Sequence, residues 1–298
     1  MASRSDAGRV LVTGCTGFTG HHVAQRLRAS GYEVFDPEAD GRTFDLTDPA
    51  TLPLIIEEAQ PDYVIHLAAL SFVAHADSSA FYRVNTLGTT NLLDALLASR
   101  QPLRRAIVAS SANVYGNATA DPITEATPPA PVNHYAASKL AMEHMAATYA
   151  DRLRLTITRP FNYTGVGQAR QFLIPKLVEH FAERRTVIDL GNLDVIREFS
   201  DVRAVAETYA RLLTVEAPPP VVNICSGVGH SLREILADLG ELSGHRLEIR
   251  VNPAFVRANE VVRLVGSPER LRATVGELPY QDFRATLDWM LSASGGGR

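Results

Sequence analysis

Tyr135-Ala-Ala-Ser-Lys139 sets a phenol and an ammonium four residues apart. On a helix that spacing puts both side chains on one face. An ammonium beside a phenol stabilises the phenolate and lowers a reference pKa of about 10. Such a tyrosine can exchange a proton with a bound oxygen near neutral pH. With nine tyrosines and two lysines in the chain, chance would supply this pair roughly 0.06 times. Ser111, in Ser110-Ser111-Ala-Asn-Val-Tyr-Gly116, follows an apolar run and precedes Tyr135 by 24 residues. Its hydroxyl would hydrogen-bond the reacting oxygen. A third constellation is Val12-Thr-Gly14-Cys-Thr-Gly17-Phe-Thr-Gly20. Glycines at that spacing let backbone N–H groups approach a pyrophosphate at a helix N-terminus, where the partial positive charge lies.

These residues need elements to position them. Arg9 to Thr13 reads as a short strand running into the glycines, and the helix after it ends near Gly31. Further strands are expected at Tyr32–Phe35, Thr43–Asp45, Tyr63–Leu67, Arg105–Ser110 and Leu155–Arg159. Helices are expected at about Pro49–Ala59, Ser79–Ser99 and Tyr135–Asp151. Strands alternating with helices predict an α/β fold with a doubly wound parallel sheet, its ligand edge at the strand ends. After Pro160 the pattern loosens, with helices at Phe172–Arg184 and Asp201–Val215. Val221–Ile224 reads as a strand returning to the first sheet. The division predicted is 9–165 plus about 200–227 for a dinucleotide-binding domain. About 166–199 plus 228–291 would form a smaller, discontinuous α/β substrate lobe. Ser292 to Arg298 reads as a disordered Gly/Ser tail.

Composition excludes other classes. Apolar residues are 46% and charged residues 21%, so a large core can be buried. A net charge of -4 argues against a nucleic-acid or anionic-membrane binder. No apolar run approaches the about 20 residues that span a bilayer. Met1 to Gly8 is polar, and Cys15 and Cys225 make neither a disulfide framework nor a zinc cluster. A soluble cytoplasmic protein without a metal is expected.

The glycine spacing, with Ser111, Tyr135 and Lys139 in order, resembles the extended short-chain dehydrogenase/reductase family, on a Rossmann-type sheet. The resemblance implies NAD(H) or NADP(H) as cofactor and Ser111, Tyr135 and Lys139 as the catalytic triad. It implies cofactor contacts from Gly14, Thr16, Gly17, Phe18 and Gly20. An acid after the second strand would hold the adenosine ribose. Glu38 stands at the family position, with Asp36 the nearby alternative, and an acid there repels a 2′-phosphate and favours NAD. Asp45 matches an acid near the adenine, or a helix cap, and Leu46 adjoins it. Leu67, Ala68, Ala69, Asn85 and Pro160 match further cofactor positions, Asn85 alternatively being structural. Lys139 would also hold the nicotinamide ribose.

Arg159-Pro-Phe-Asn162 before Gly165-Val-Gly167-Gln168 is similar to the sugar-nucleotide branch. Leu190-Gly-Asn192-Leu-Asp194, Arg197-Glu-Phe and Arg257-Ala-Asn-Glu260-Val resemble the GDP-mannose dehydratase and GDP-4-keto-6-deoxymannose reductase families. Substrate contacts are then implied for Asn113, Asn162, Gln168, Asn192, Arg197, Arg257 and Glu260. Related dehydratases carry an acid in the turn after the catalytic Ser or Thr, whereas Ala112 and Asn113 stand here. The Cys that a GDP-fucose-type epimerase-reductase uses in this turn is also absent. Simple reduction remains: hydride to C4 of a GDP-4-keto-6-deoxy sugar, a proton from Tyr135, polarisation by Ser111, and a GDP-rhamnose-type product. The alternatives are an NAD-dependent nucleotide-sugar C4 epimerase and a non-catalytic nucleotide-binding module. His134 and Ala258 replace prolines common in the family. His66 reads as a core histidine. The resemblance further implies a homodimer through a four-helix bundle built from the Ser79–Ser99 and Tyr135 helices.

Overall fold

The computed structural model describes residues 7–39, 42, 44–71, 77–99, 101–252, 263–280 and 282–296. The strands are β1 (Arg9–Thr13), β2 (Glu33–Phe35), β3 (Tyr63–His66), β4 (Arg105–Ala109), β5 (Leu155–Pro160), β6 (Tyr163–Thr164), β7 (Val187–Leu190), β8 (Ile196–Glu198), β9 (Ser200–Asp201), β10 (Val221–Ile224), β11 (Gly229–Ser231), β12 (Glu248–Val251) and β13 (Arg263–Leu264). The helices are α1 (Phe18–Ala29), α2 (Leu52–Ala59), α3 (Ser78–Phe81), α4 (Thr89–Ala98), α5 (His134–Ala147), α6 (Leu173–Ala182), α7 (Val202–Leu212), α8 (Leu232–Ser243), α9 (Glu269–Val275) and α10 (Phe283–Leu291).

Alternation along the strands builds the core. In β1, Val10 and Val12 join one buried cluster with Val23 and Leu27 of α1 and Val205 and Tyr209 of α7. Leu11 between them joins the opposite cluster, with Leu52 and Ile56 of α2 and Leu92 and Leu96 of α4. Side chains of period two thus bury both faces of one sheet, as a parallel sheet requires. That sheet has six parallel strands in the order β10-β5-β4-β3-β1-β2. Chain order reverses between β1, with β2 on one side, and β3 on the other. A crevice opens at such a switch point, and the Gly14 loop leaves β1 there.

Val221–Ile224 lies at the sheet edge, parallel to β5. A third core, centred on Leu177, Phe181, Ile235, Leu239 and Leu287, joins α6, α8 and α10. Short sheets surround it, among them β11-β8-β13 and β12-β7.

The strand expected at Thr43–Asp45 does not form at Phe44 and Asp45, and Thr43 lies outside the described residues. The reason is local: the Asp45 carboxylate accepts the backbone N–H and the hydroxyl of Thr47, each at 2.8 Å, and so turns the chain. The helix expected over Ser79–Ser99 is one course with a wider π-helical segment at Tyr82–Gly88. Just after it the Thr89 and Thr90 hydroxyls of α4 donate back to the Asn85 and Thr86 carbonyls. After α10 the chain continues in a wide turn, Ser292–Gly296, where the Ser294 hydroxyl donates to the Met290 carbonyl at 2.9 Å.

Candidate active site

The site is assembled at the carboxyl edge of the main sheet, from the β1–α1 loop outward. Gly14 sits at φ +71, and a Cβ there would lie 2.9 Å from the Ala68 nitrogen. A Cβ on Gly20 would lie 2.0 Å from the Gly14 carbonyl oxygen. Neither position has room for a side chain. Gly17 is the N-cap of α1 without a side-chain cap, and the first turn carries no acid. The opening N–H groups of α1 are thereby left for an anion at the positive end of the helix. The arrangement fits a dinucleotide pyrophosphate. Leu67 and Ala68 hold the loop from β3: their N–H groups donate to the carbonyl and the hydroxyl of Thr13. Ala69 follows, half-buried.

Two acids close the loop from the end of β2. The Thr16 hydroxyl donates to Glu38 Oε2 at 2.6 Å, and the Glu38 N–H donates to Asp36 Oδ1 at 3.0 Å. The Cys15 thiol hydrogen-bonds to Asp36, and burial with that carboxylate pushes the thiol up to about 11. Sequence reasoning left Glu38 and Asp36 as alternatives, and the structure gathers both. Leu46 is a buried packing residue, its side chain over Gly88 and its carbonyl taking the Asn91 amide. Asp45 faces Thr47 as described.

Asn85 is completely buried. Its oxygen accepts the Leu70 N–H at 2.9 Å, and its amide donates to the Leu70 carbonyl and the Ser138 hydroxyl. The side chain is occupied in clamping α5 to the segment after β3, which is the structural alternative for this residue.

Ser111 ends β4's extension and caps the turn Ala112–Tyr115. Tyr135 is buried on α5, whose N-cap Asn133 accepts the Ala136 N–H at 2.9 Å. Burial pushes the Tyr135 phenol up to about 12, while a hydrogen bond from Ser111 opposes the rise. The ammonium of Lys139, also buried, donates to the Ala109 carbonyl at 2.7 Å. Burial brings Lys139 down to about 8, and Glu143 opposes that fall. The expectation that Lys139 draws the phenol below its ordinary value is corrected here. Desolvation sets the value of Tyr135, and Lys139 faces a carbonyl.

The substrate candidates and the cofactor candidate Pro160 are placed unevenly. Asn113 shares the turn with Ser111, and Pro160 closes β5 beside Ile224. Asn162 carries a buried Nδ2 without a hydrogen-bond partner. Gln168 serves its own loop, accepting the Thr164 hydroxyl at 2.6 Å and donating to the Tyr163 carbonyl at 3.3 Å. Asn192 accepts the Asp194 N–H in a tight turn. Arg197 lies on β8 opposite His230 and donates to the Ile196 carbonyl. Arg257 and Glu260 lie outside the described residues.

Sequence reasoning missed three supports. The Tyr163 hydroxyl meets Thr19 of α1 at 2.7 Å, with its ring stacked on Phe18. Buried Glu198 accepts the N–H groups of Ser226 and Gly227, and of Gly266 at 3.0 Å, joining β8 to two loops. Glu143 is forked by Arg159. Only the last had a sequence signal, since Glu143 follows Lys139 by the same stride of four.

The sequence matches the NAD dependent epimerase/dehydratase family over residues 10–225. It is 37% identical over 284 residues to the GDP-6-deoxy-D-talose 4-dehydrogenase of Aggregatibacter actinomycetemcomitans, covering 95% of this chain and 96% of that one. It is 36% identical over 297 residues to the GDP-6-deoxy-D-mannose reductase of Pseudomonas aeruginosa, covering 94% and 97%. The structure of RMD from Pseudomonas aeruginosa complexed with NADPH superposes with a TM-score of 0.88 at 33% identity, covering 97% and 99%. The family match, the glycine cradle and the buried Ser–Tyr–Lys set agree: the chain belongs to the NAD dependent epimerase/dehydratase family, the extended short-chain dehydrogenases/reductases, and is an NAD(P)-dependent oxidoreductase of Rossmann type.

Proposed function

We propose that the protein reduces the C4 ketone of a GDP-4-keto-6-deoxyhexose to a GDP-6-deoxyhexose of the GDP-rhamnose type. The carrying observation is the turn Ala112–Tyr115 beside Tyr135. Ala112 and Asn113 offer no second proton-transfer group, and Tyr135, pushed up to about 12, holds its proton at neutral pH. A protonated phenol suits donation to a forming alkoxide. With its pyrophosphate held at the glycine loop, a reduced nicotinamide cofactor would supply the hydride. Ser111 directs a hydroxyl at the carbonyl oxygen and Lys139 brings a positive charge below it. Asn162, with its unpartnered amide, and Arg197 offer donors for the substrate diphosphate; by the family resemblance Arg257 would add a guanidinium to the diphosphate, and Glu260 would accept from the ribose hydroxyls. The GDP moiety is supported by the names of the two relatives at 36–37% identity.

The test is absorbance at about 340 nm with GDP-4-keto-6-deoxymannose and reduced cofactor. Substrate-dependent loss of signal is expected, and NMR of the product reads rhamno against talo configuration. A second reading, a nucleotide-sugar C4 epimerase, draws support from the acids Asp36 and Glu38, which suit a tightly held NAD. It predicts bound NAD and no net consumption.

The proposal includes a homodimer through α5 and the helical course that runs from Tyr82 into α4, where Leu87 and Met145 are exposed apolar side chains, 58% and 42% accessible. Light scattering giving a monomer mass would exclude it. No helix among the described residues is long and apolar enough to cross a membrane. The free, buried thiols of Cys15 and Cys225 suit a reducing cytoplasm.

A further inference from the structure

Tyr135, Lys139 and Glu143 follow one another at intervals of four along α5, so one helix face carries phenol, ammonium and carboxylate. Glu143 and Arg159 of β5 are both buried, with side chains 6% and 7% exposed. Arg159 Nε donates to both oxygens of Glu143 at 2.9 and 3.2 Å, and Nη2 donates at 2.6 Å. The remaining edge of the guanidinium reaches Tyr115, Nη1 donating to its hydroxyl at 3.0 Å. The Tyr115 hydroxyl donates in turn to Asn223 of β10 at 2.7 Å. Tyr115 closes the very turn that Ser111 opens. One ion pair therefore touches both halves of the triad, the helix of Tyr135 and Lys139 and the turn of Ser111.

A buried ion pair adds little net stability over an apolar pair of the same volume. Its worth here is sought in what it holds. Arg159 contacts the Glu143 carboxylate directly, and Lys139, one turn earlier on α5, feels its charge without contact. Around Lys139, His66 faces it from β3 and is held neutral, with the ammonium among the causes. Arg159 of β5 stands behind Glu143, and Tyr115 of the turn stands behind Arg159. On the outer side of α5, Tyr82 meets His134, Arg83 pairs with Asp77, and Asp94 of α4 takes the Tyr149 hydroxyl. Glu143 is the carboxylate that opposes the loss of charge from Lys139.

We infer that Glu143, fixed by Arg159, is a positioning residue of the active site: it keeps Lys139 cationic and, through Arg159 and Tyr115, sets the turn that carries Ser111. The inference rests on the reading of Lys139 and Tyr135 as the proton-transfer pair. Loss of the carboxylate favours deprotonation of Lys139, so the alkaline limb that Lys139 sets moves to lower pH.

The experiment compares the wild type with Glu143→Gln and Glu143→Asp. It follows ketone reduction and, separately, NADH binding by fluorescence between pH 6 and 10. For Gln, the midpoint of the alkaline limb is expected to fall by about one unit in both measurements. Turnover should then drop about tenfold at pH 8.5 and less at pH 6.5. Asp is expected to lie between Gln and the wild type. If Gln does not fold, a limb shifted the same way in Asp carries the claim. Variants with both limbs at the wild-type midpoint, and activity lowered by one factor at every pH, would overturn it. If the wild type binds NADH but leaves the ketone untouched, the substrate reading fails. The binding limb still decides the role of Glu143.

Discussion

The Ser111 hydroxyl accepts the backbone N–H of Asn113 at 3.2 Å, which leaves its own proton directed at Tyr135. The oxygen is fixed by the turn it caps, so its donor role costs little reorganisation when a substrate carbonyl arrives. In the proposed reaction, with Tyr135 protonated, the two hydroxyls would both donate to the substrate oxygen.

Replacing Tyr135 by Phe removes the acid and keeps the ring against Phe81. Turnover should fall by about a thousandfold, with NADH affinity within about twofold of the wild type. Stopped-flow reduction and fluorescence titration measure the two separately.

Asp36 and Glu38 stand together at the end of β2, where the proposed reading puts the adenosine ribose, and the loop residues Cys15 and Thr16 hold them there. A 2′-phosphate on that ribose would meet like charge and be repelled. The enzyme is therefore expected to favour NADH over NADPH by at least about tenfold in kcat/KM. The double variant Asp36→Ala, Glu38→Ala should narrow that ratio chiefly by improving KM for NADPH. An unchanged ratio places discrimination elsewhere.

Asn85→Ala leaves the Leu70 N–H and carbonyl and the Ser138 hydroxyl short of partners inside the protein. A loss of about 2–4 kcal/mol in unfolding free energy is expected, with cofactor affinity at fixed folded fraction little changed. Denaturant titration with and without NADH distinguishes this from a binding role.

His66 lies between the hydroxyls of Thr13 and Thr89 and is buried, which brings it down to about 3. Its depressed value means the unfolded chain takes the proton first. The contribution is complete above about pH 6.5 and is lost as pH falls toward 3. His66→Gln should remove about 2 kcal/mol of the stability difference between pH 7 and pH 5. Equal differences in the two proteins would show that His66 does not carry the acid sensitivity.

What the sequence revealed was local. Gly14, Gly17 and Gly20 follow an apolar strand directly, and Tyr135 and Lys139 share one helical stride, so spacing alone identified them. The alternation Val10-Leu11-Val12 likewise announced a sheet covered on both faces. Partners distant in sequence were not legible. Phe44-Asp45 carries strand-like residues, but the carboxylate of Asp45 finds Thr47 and turns the chain. Asn85 has the chemistry of a cofactor ligand, and only the fold brings Leu70 and Ser138 to it. Gln168 is drawn into its own loop in the same way. Glu143 had the right stride, yet its meaning depended on Arg159 arriving from the next strand.

In the proposed reaction hydride goes to C4 and the proton comes from Tyr135. Reduction of GDP-4-keto-6-deoxymannose with NADH deuterated at nicotinamide C4 tests it most directly, reading the product by NMR. One equivalent of cofactor oxidised for each product, deuterium at C4 alone, and loss of the reaction in Tyr135→Phe are expected. Product without deuterium, or turnover undiminished in that variant, would contradict it.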